Sequence, residues 1–375
     1  MESAIIRYDL KETIQDLDPI HIPSAEPSAP RRRLVVVGDV HGHLSQLKRL
    51  LENVGFDKDS GDHLVFTGDL INKGPDSSGV VQLGMDLGAS AVRGNNEDRV
   101  LAAHRLVHIG RVSGVSRGDG GVPFQNNSTP LPQNIPYAVS SDFITATQPS
   151  DAQVSWLSSL PLILRIGLLK GATSTPWNAG SLVIVHGGLV PSLSLEEQDP
   201  WAVMNMRSLV YPTNGIYPDA VQEALVKRNQ DRWCRRTAFQ VERDEELEPG
   251  LPRATSYEDR KEHSRVPQIH HKDAIPIEAE VGKLWRDAWN ETQNLIKMPG
   301  HRTVAVYGHD ARAGLQEQQE IDVLKELKDK GEQGPWTRYA FGLDSGCAYG
   351  NALSAMIIEP SLEMDDIIHR VEQVK

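Results

Sequence analysis

The sequence predicts an α/β protein, and three observations carry that reading. Short apolar runs of strand length recur along the 375 residues, helix-length stretches lie between them, and several runs end in glycine with a polar side chain beside it. The runs are too numerous for one small sheet.

The first strong run is "LVVVGDVHGHL", Leu34 to Leu44. Leu34, Val35, Val36 and Val37 suit a strand buried on both faces, yet the run stops at Gly38 and presents Asp39, His41 and His43. Next, "LSQLKRLLENVGF" sets Leu44, Leu47, Leu50, Leu51 and Val54 on one helical face. Further strands are expected at "HLVFTGDL", "ASAVRGNNE", "SLVIVHGG", "RTVAVYGHD", "RYAFGLDSG" and "ALSAMIIEP", with helices over Ser78 to Leu87, Asp98 to His108 and Trp156 to Ile166. Residues 1–33 read as an N-terminal leader, with prolines clustered in "HIPSAEPSAPRRR" and Arg31 to Arg33 as a solvated charge run. Residues 34–375 then form one domain with two surface insertions. The first, at about 111–150, is dense in Gly, Ser, Asn and Pro; the second, at about 212–275, is charged and weakly periodic.

Only Cys234 and Cys347 occur, at a separation that gives neither a zinc pair nor a redox motif, so two free thiols in a reducing compartment are expected. The start "MESAIIRYDLKETIQDLDP" lacks a basic, then apolar, secretory pattern, and no run approaches the roughly 18 apolar residues of a membrane helix. A soluble intracellular, cytoplasmic chain is the expectation. The net charge of −12 does not favour duplex nucleic acid or an anionic membrane as partner. A phosphate-rich ligand must therefore meet local positive charge or metal.

Five strand-end motifs gather the chemistry: "GDVHG" (Gly38 to Gly42), "GDLINKG" (Gly68 to Gly74), "GNNE" (Gly94 to Glu97), "HGG" (His186 to Gly188) and "GHD" (Gly308 to Asp310). Each puts a carboxylate, carboxamide or imidazole beside glycine, which lets the backbone turn sharply and approach whatever those side chains bind. One Gly-Asp is an ordinary turn dipeptide, but five such motifs in this order suit metal ligation.

In this order the motifs resemble those of the phosphoprotein phosphatase family of dinuclear metallophosphoesterases, whose pattern is GDxHG, GDxxxRG, GNHE, HGG and a later His. The resemblance runs over about 34–110 and 155–358, taking in "WLSSLPLIL" as the family's core helix and "LDSGCAYGNALSA" as its closing strands. "GDLINKGPDS" is most similar to the ApaH-like branch, related to diadenosine tetraphosphate hydrolases. The resemblance implies an α/β/β/α sandwich of two mixed sheets flanked by helices. It also implies two divalent metal ions, with Asp39 and His41 on the first, Asp69 bridging, and Asn95, His186 and His309 completing the second. Mixed nitrogen and oxygen donors suit Mn, Fe or Zn.

Three positions depart from the pattern. The family's catalytic Asp is Asn72 here, and the catalytic His of GNHE is Asn96, so both halves of a proton-donating dyad are amides; the phosphate-binding Arg is Lys73. A general acid matters most when the leaving oxygen is a poor leaving group, whereas a departing phosphate leaves readily as an anion. Asn72, Asn96 and Lys73 therefore point to phosphoanhydride hydrolysis. Inorganic polyphosphate leads, with diadenosine polyphosphates and capped RNA ends carrying the same bond. The alternatives are a serine/threonine protein phosphatase and a metal-containing phosphate-binding protein without turnover.

Lys73, Arg207 in "WAVMNMRSLV" and Tyr349 are the candidate substrate-binding residues, ahead of Arg93 and Arg99. Lys283 and Trp285 are read as either a substrate wall or a packing face, and Asp344 as structural or at the rim. His43 is read as a turn residue beside the metals, His104 with His108 as a helix-surface pair, and His270 with His271 as solvated.

Overall fold

A computed structural model of the chain describes residues 12–108, 139–191, 193–211, 218–228, 274–322 and 336–375. The first half runs β1 (Ile14–Asp16), β2 (Arg33–Val37), α1 (Leu44–Asn53), β3 (Asp62–Phe66), α2 (Ser77–Leu87), β4 (Ser90–Ala91), α3 (Asn95–His108), α4 (Val139–Ala146) and α5 (Asp151–Ser159). It continues with β5 (Ile163–Gly167), β6 (Ser181–Val185), α6 (Pro200–Asn205), β7 (Ser208–Val210) and α7 (219–228). The last part holds β8 (Ile275–Ile277), β9 (Lys283–Leu284), α8 (Trp285–Leu295), β10 (Thr303–Tyr307), β11 (Glu320–Ile321), β12 (Trp336–Thr337), β13 (Ala340–Gly342), β14 (Leu353–Pro360) and β15 (Ile367–Val374).

Two five-stranded mixed sheets form the frame, one ordered β15-β14-β2-β3-β4 and the other β1-β5-β6-β10-β13. In the first, β2, β3 and β4 run parallel while β14 is antiparallel to β2. In the second, β6, β10 and β13 are parallel and β5 is antiparallel to β6. The period of two along β2 shows how the layers stack. Val35 and Val37 join Leu47, Leu50, Val80 and Leu157 of the helices, whereas Leu34 and Val36 join Ile184, Val306 and Phe341 of the opposite sheet. The outer face of that second sheet is covered by α6 and α8 through Trp201, Trp285 and Trp289. This is the helix, sheet, sheet, helix layering that the motifs implied.

Three expectations are corrected. Residues 14–33 do not stand apart from the domain: β1 pairs in parallel with β5 at the edge of the second sheet, and Arg33 opens β2. Trp156 to Ile166 is not one helix. Helix α5 begins earlier, capped by Ser150 with Gln153, and ends at Ser159 before Pro161, after which Ile163 and Ile166 enter β5. The first insertion is not all loop, because its end folds as α4 with Asp142, Phe143, Thr145 and Ala146 buried. Residues 111–138 and most of 212–275, with Cys234, His270 and His271, lie outside the described residues.

Candidate metal centre

Four strand ends and one helix start build the cleft. Asp39 follows β2, Asp69 follows β3, His186 follows β6 and His309 follows β10, while Asn95 opens α3. Side chains at the carboxyl ends of parallel strands face a shared crevice, where strand precision fixes them.

The six predicted residues are all buried. Ligand atoms of Asp39, His41 and Asp69 lie within 4.8 Å of one another. His41 Nε2 is 3.6 Å from Asp69 Oδ2 and 3.8 Å from Asp39 Oδ2. On the other side of Asp69, His186 Nε2 is 3.4 Å from Oδ1 and 3.2 Å from Asn95 Oδ1. The His309 ring stands edge-on to His186, centroids 5.0 Å apart. Asp69 thus lies between two groups of donors.

Each imidazole is oriented by a backbone carbonyl. His41 Nδ1 faces Ile71 O at 3.2 Å, His186 Nδ1 faces Thr67 O at 2.9 Å, and His309 Nε2 faces Asn205 O at 3.0 Å. A carbonyl can only accept, so that nitrogen carries the hydrogen and the other keeps a lone pair for the cleft. Burial lowers all three, His41 to about 4, so they are neutral at pH 7. The ammonium of Lys73, 3.0 Å from His41 Nε2, is a cation already standing against that lone pair.

Among the described residues, the non-glycine positions with positive φ are His41, Asp69, Asn72, Lys73 and His309, all of them predicted site residues. Such backbone costs about 1–3 kcal/mol per residue and persists where the surroundings over-determine it. Glu97 does so here. Its carboxylate accepts from the N–H groups of Asp69, Leu70 and Gly94 at 2.8 Å each, and of Ile71 at 3.3 Å, clamping the second motif to the third. Burial first, then the Asp69 charge, raises Glu97 to about 7, against those donors.

The two central carboxylates differ. Burial, then Asp344 and Asp69, drives Asp39 well above the usual carboxylate range. For Asp69 burial acts upward too, but His186, His41 and Lys73 outweigh it and hold the group low. Asp344, expected to be structural or at the rim, is buried and shares a hydrogen bond with Asp39. A buried acid-rich cluster fronted by neutral imidazoles fits divalent cations.

At the rim, Lys73 Nζ lies 5.6 Å over the Tyr349 ring, which is 69% exposed. Arg207 is partly buried, and its Nη2 donates to His309 O at 2.9 Å. Arg93 is buried and donates to Ser158 O instead, and Trp285 packs over Gly188 and Tyr307 as part of the core. Lys283 pairs with Glu291, so Lys283 and Trp285 form a packing face. His43 opens α1 with its ring against Gly74.

The two amides are bonded to each other beside Asp69. Asn72 Nδ2 donates to Asn96 Oδ1 at 3.1 Å and to Asp142 Oδ1 at 2.6 Å; Asn96 Nδ2 donates to Asp69 Oδ2. Arg99 joins them, its Nη2 donating to Asn96 Oδ1 at 2.5 Å and its Nε to Asp142 Oδ2 at 3.1 Å. Sequence reasoning missed Glu97, although it closes "GNNE", and Asp142, which no motif marks.

Comparison with known proteins adds the wider context. The profile of the calcineurin-like phosphoesterase family matches residues 32–333. A symmetrical bis(5'-nucleosyl)-tetraphosphatase of Pectobacterium carotovorum is 34% identical over 160 residues, 43% of this chain and 44% of the relative. Serine/threonine-protein phosphatase 1 of Salmonella typhimurium is 46% identical over 72 residues, 19% of this chain and 33% of the relative. The chain therefore spans less than half the length of these curated relatives. A crystal structure provisionally assigned as a diadenosine tetraphosphatase aligns over 96% of this chain and 98% of that one, with a TM-score of 0.50 and 24% identity, a likeness of fold.

Proposed function

The chain belongs to the calcineurin-like phosphoesterase family, and on that premise we propose that it hydrolyses phosphoanhydride bonds with two divalent metal ions. Asp39 and His41 would hold the first, Asn95, His186 and His309 the second, and Asp69 would serve both. When bound, such a pair supplies Lewis acidity toward phosphoryl oxygens and activates the attacking water. Mn, Zn or Fe suits the donor set, and metal content after purification decides among them.

The chain's own side chains supply the rest. The carbonyl-anchored imidazoles keep their lone pairs turned into the cleft. Lys73 offers a compact positive charge to a phosphate oxygen, and Arg207, beside His309, a second one. In the reaction the water oxygen bonds to phosphorus and the bridging P–O bond breaks. Its electron pair stays on the leaving phosphate, and the water's proton passes to solvent. Neither Asn72 nor Asn96 can give up a proton, which a leaving phosphate tolerates and an alkoxide does not.

One observation supports this reading: buried nitrogen and oxygen donors gather around Asp69, and two hydrogen-bonded amides, Asn72 and Asn96, adjoin it where the phosphatase pattern has an acid pair. The similarity to proteins named symmetrical bis(5'-nucleosyl)-tetraphosphatases supports dinucleoside polyphosphates as substrates. Inorganic polyphosphate and capped RNA ends contain the same bond. The test is a parallel assay of the metal-loaded chain on diadenosine tetraphosphate, polyphosphate, capped RNA, p-nitrophenyl phosphate and a phosphopeptide. Turnover of the anhydrides well above the phosphopeptide is expected. The reverse order would make the chain a protein phosphatase, and tight phosphate binding without turnover would make it a binding protein.

A further inference from the structure

The amide pair is part of a larger arrangement that the motifs do not reveal. Asn72 is fully used: its two N–H bonds go to Asn96 Oδ1 and Asp142 Oδ1, and its oxygen accepts from Lys73 N at 2.9 Å and Thr145 Oγ1 at 3.2 Å. Asp142 and Thr145 both come from α4, the helix that ends the first insertion. A carboxylate can only accept and a guanidinium can only donate. Asp142 therefore fixes which end of Asn72 is nitrogen, and Arg99 fixes Asn96 with its NH₂ turned to Asp69 Oδ2 and, at 3.3 Å, to Asn95 Oδ1.

An aspartate at position 72 would set two carboxylates face to face across the present 2.6 Å bond, so Asp142 is compatible with position 72 only while that residue is an amide. The negative charge that the phosphatase pattern carries at position 72 stands here on Asp142, with Arg99 as its counter-ion 3.1 Å away. We infer that Arg99 and Asp142 are positioning residues: they lock both amides, with the Asn96 NH₂ held on the oxygens of Asp69 and Asn95, so that no proton-giving group stands where the phosphatase pattern has its acid pair, and α4 thereby sets the preference for phosphoanhydrides over phosphomonoesters. This rests on the phosphoanhydride reading for its chemistry, whereas the lock itself is testable without turnover.

The experiment is a charge-relocation cycle of Asn72→Asp, Asp142→Asn and the double variant, melted with metal chelated and with metal restored. Asn72→Asp alone should lower the melting temperature by on the order of 5 to 10 °C, and adding Asp142→Asn should recover most of that loss. Losses that simply add overturn the lock, whatever the enzyme does or fails to do with substrate. Should Asn72→Asp fail to fold, Arg99→Met decides. It should reduce kcat on diadenosine tetraphosphate about tenfold with KM unchanged, with partial recovery in Arg99→Lys. An unchanged kcat overturns the inference. If no anhydride is turned over at all, the function proposed above falls, and the melting cycle still decides by itself whether the two charges are coupled.

Discussion

Strand β3 carries Gly-Asp at both ends, and the two ends behave differently. At its start, in "GDH", Asp62 meets the Arg33 guanidinium fork at 2.7 and 2.5 Å and also accepts from Asp57 N at 2.8 Å. His63 is bonded to Ser90 Oγ at 2.9 Å and stacked on His21 with centroids 3.8 Å apart. At its finish, in "GDL", Asp69 has a φ of 53° and is surrounded by His41, His186 and Lys73, with no guanidinium paired to it among the described residues. Asp and His are used at both ends. Ordinary backbone with a matched ion pair makes the first end structural, while strained backbone and lone pairs converging on buried acid make the second a candidate site.

Substituting at each end should separate chemistry from stability. Asp69→Asn should abolish retention of metal and reduce turnover on the order of 10³-fold, since it removes several kcal/mol of charge stabilisation. Metal analysis and kinetics read that change, while the melting curve of the chelated protein should barely move. Asp62→Ala should do the opposite. It removes the fork's hydrogen-bonded carboxylate and leaves Arg33 on the carbonyls of Val54 and Gly55, at a loss of about 3 kcal/mol, with metal content per folded chain unchanged. If Asp62→Ala strips metal, the contrast between the two ends is wrong.

A third substitution tests how closely backbone supports the acidic cluster. A Cβ on Gly308 would fall 2.1 Å from Asp39 Oδ1, and Gly308 is not among the glycines with positive φ, so the conflict is one of space alone. Gly308→Ala should therefore fold yet weaken metal affinity by about 10- to 100-fold, measured by titration against a competing chelator. Undiminished affinity would mean that Asp39 is free to move.

These cases also show what the sequence made legible. The six donors were readable because each sits beside a glycine at the end of an apolar run, a local pattern that survives without any knowledge of packing. The sandwich itself needed the resemblance. The strand at Ile14–Asp16 escaped because three residues at a sheet edge are too short to show periodicity. Asp142 escaped because its meaning lies in a contact with Asn72, 70 residues earlier in sequence, and no local signal announces such a partner. The "GDH" at Gly61 to His63 would have misled any search by dipeptide, for only Arg33 on the neighbouring strand reveals it as an ion pair.

The smallest expected effect concerns the other half of that first end, His63. Burial, reinforced by the positive charges of His21 and Lys58 and opposed by Asp18, lowers His63 to about 4, against about 6.5 in an unfolded chain. Below pH 6.5 the unfolded chain therefore takes up a proton that the folded chain declines, and stability falls as pH drops from 6.5 toward 4; above pH 7 the group contributes no slope. At pH 5 the loss is about 2 kcal/mol for this residue. His63→Gln keeps a polar partner for Ser90 without the titration, so its melting temperature should decline less between pH 7 and pH 4.5 than that of the parent chain, both measured with metal bound so that the cleft histidines are held. Parallel curves would show that His63 is not the buried neutral base its stacked and hydrogen-bonded place requires, and would remove the distinction between a histidine that supports the sheet and one that faces the cleft.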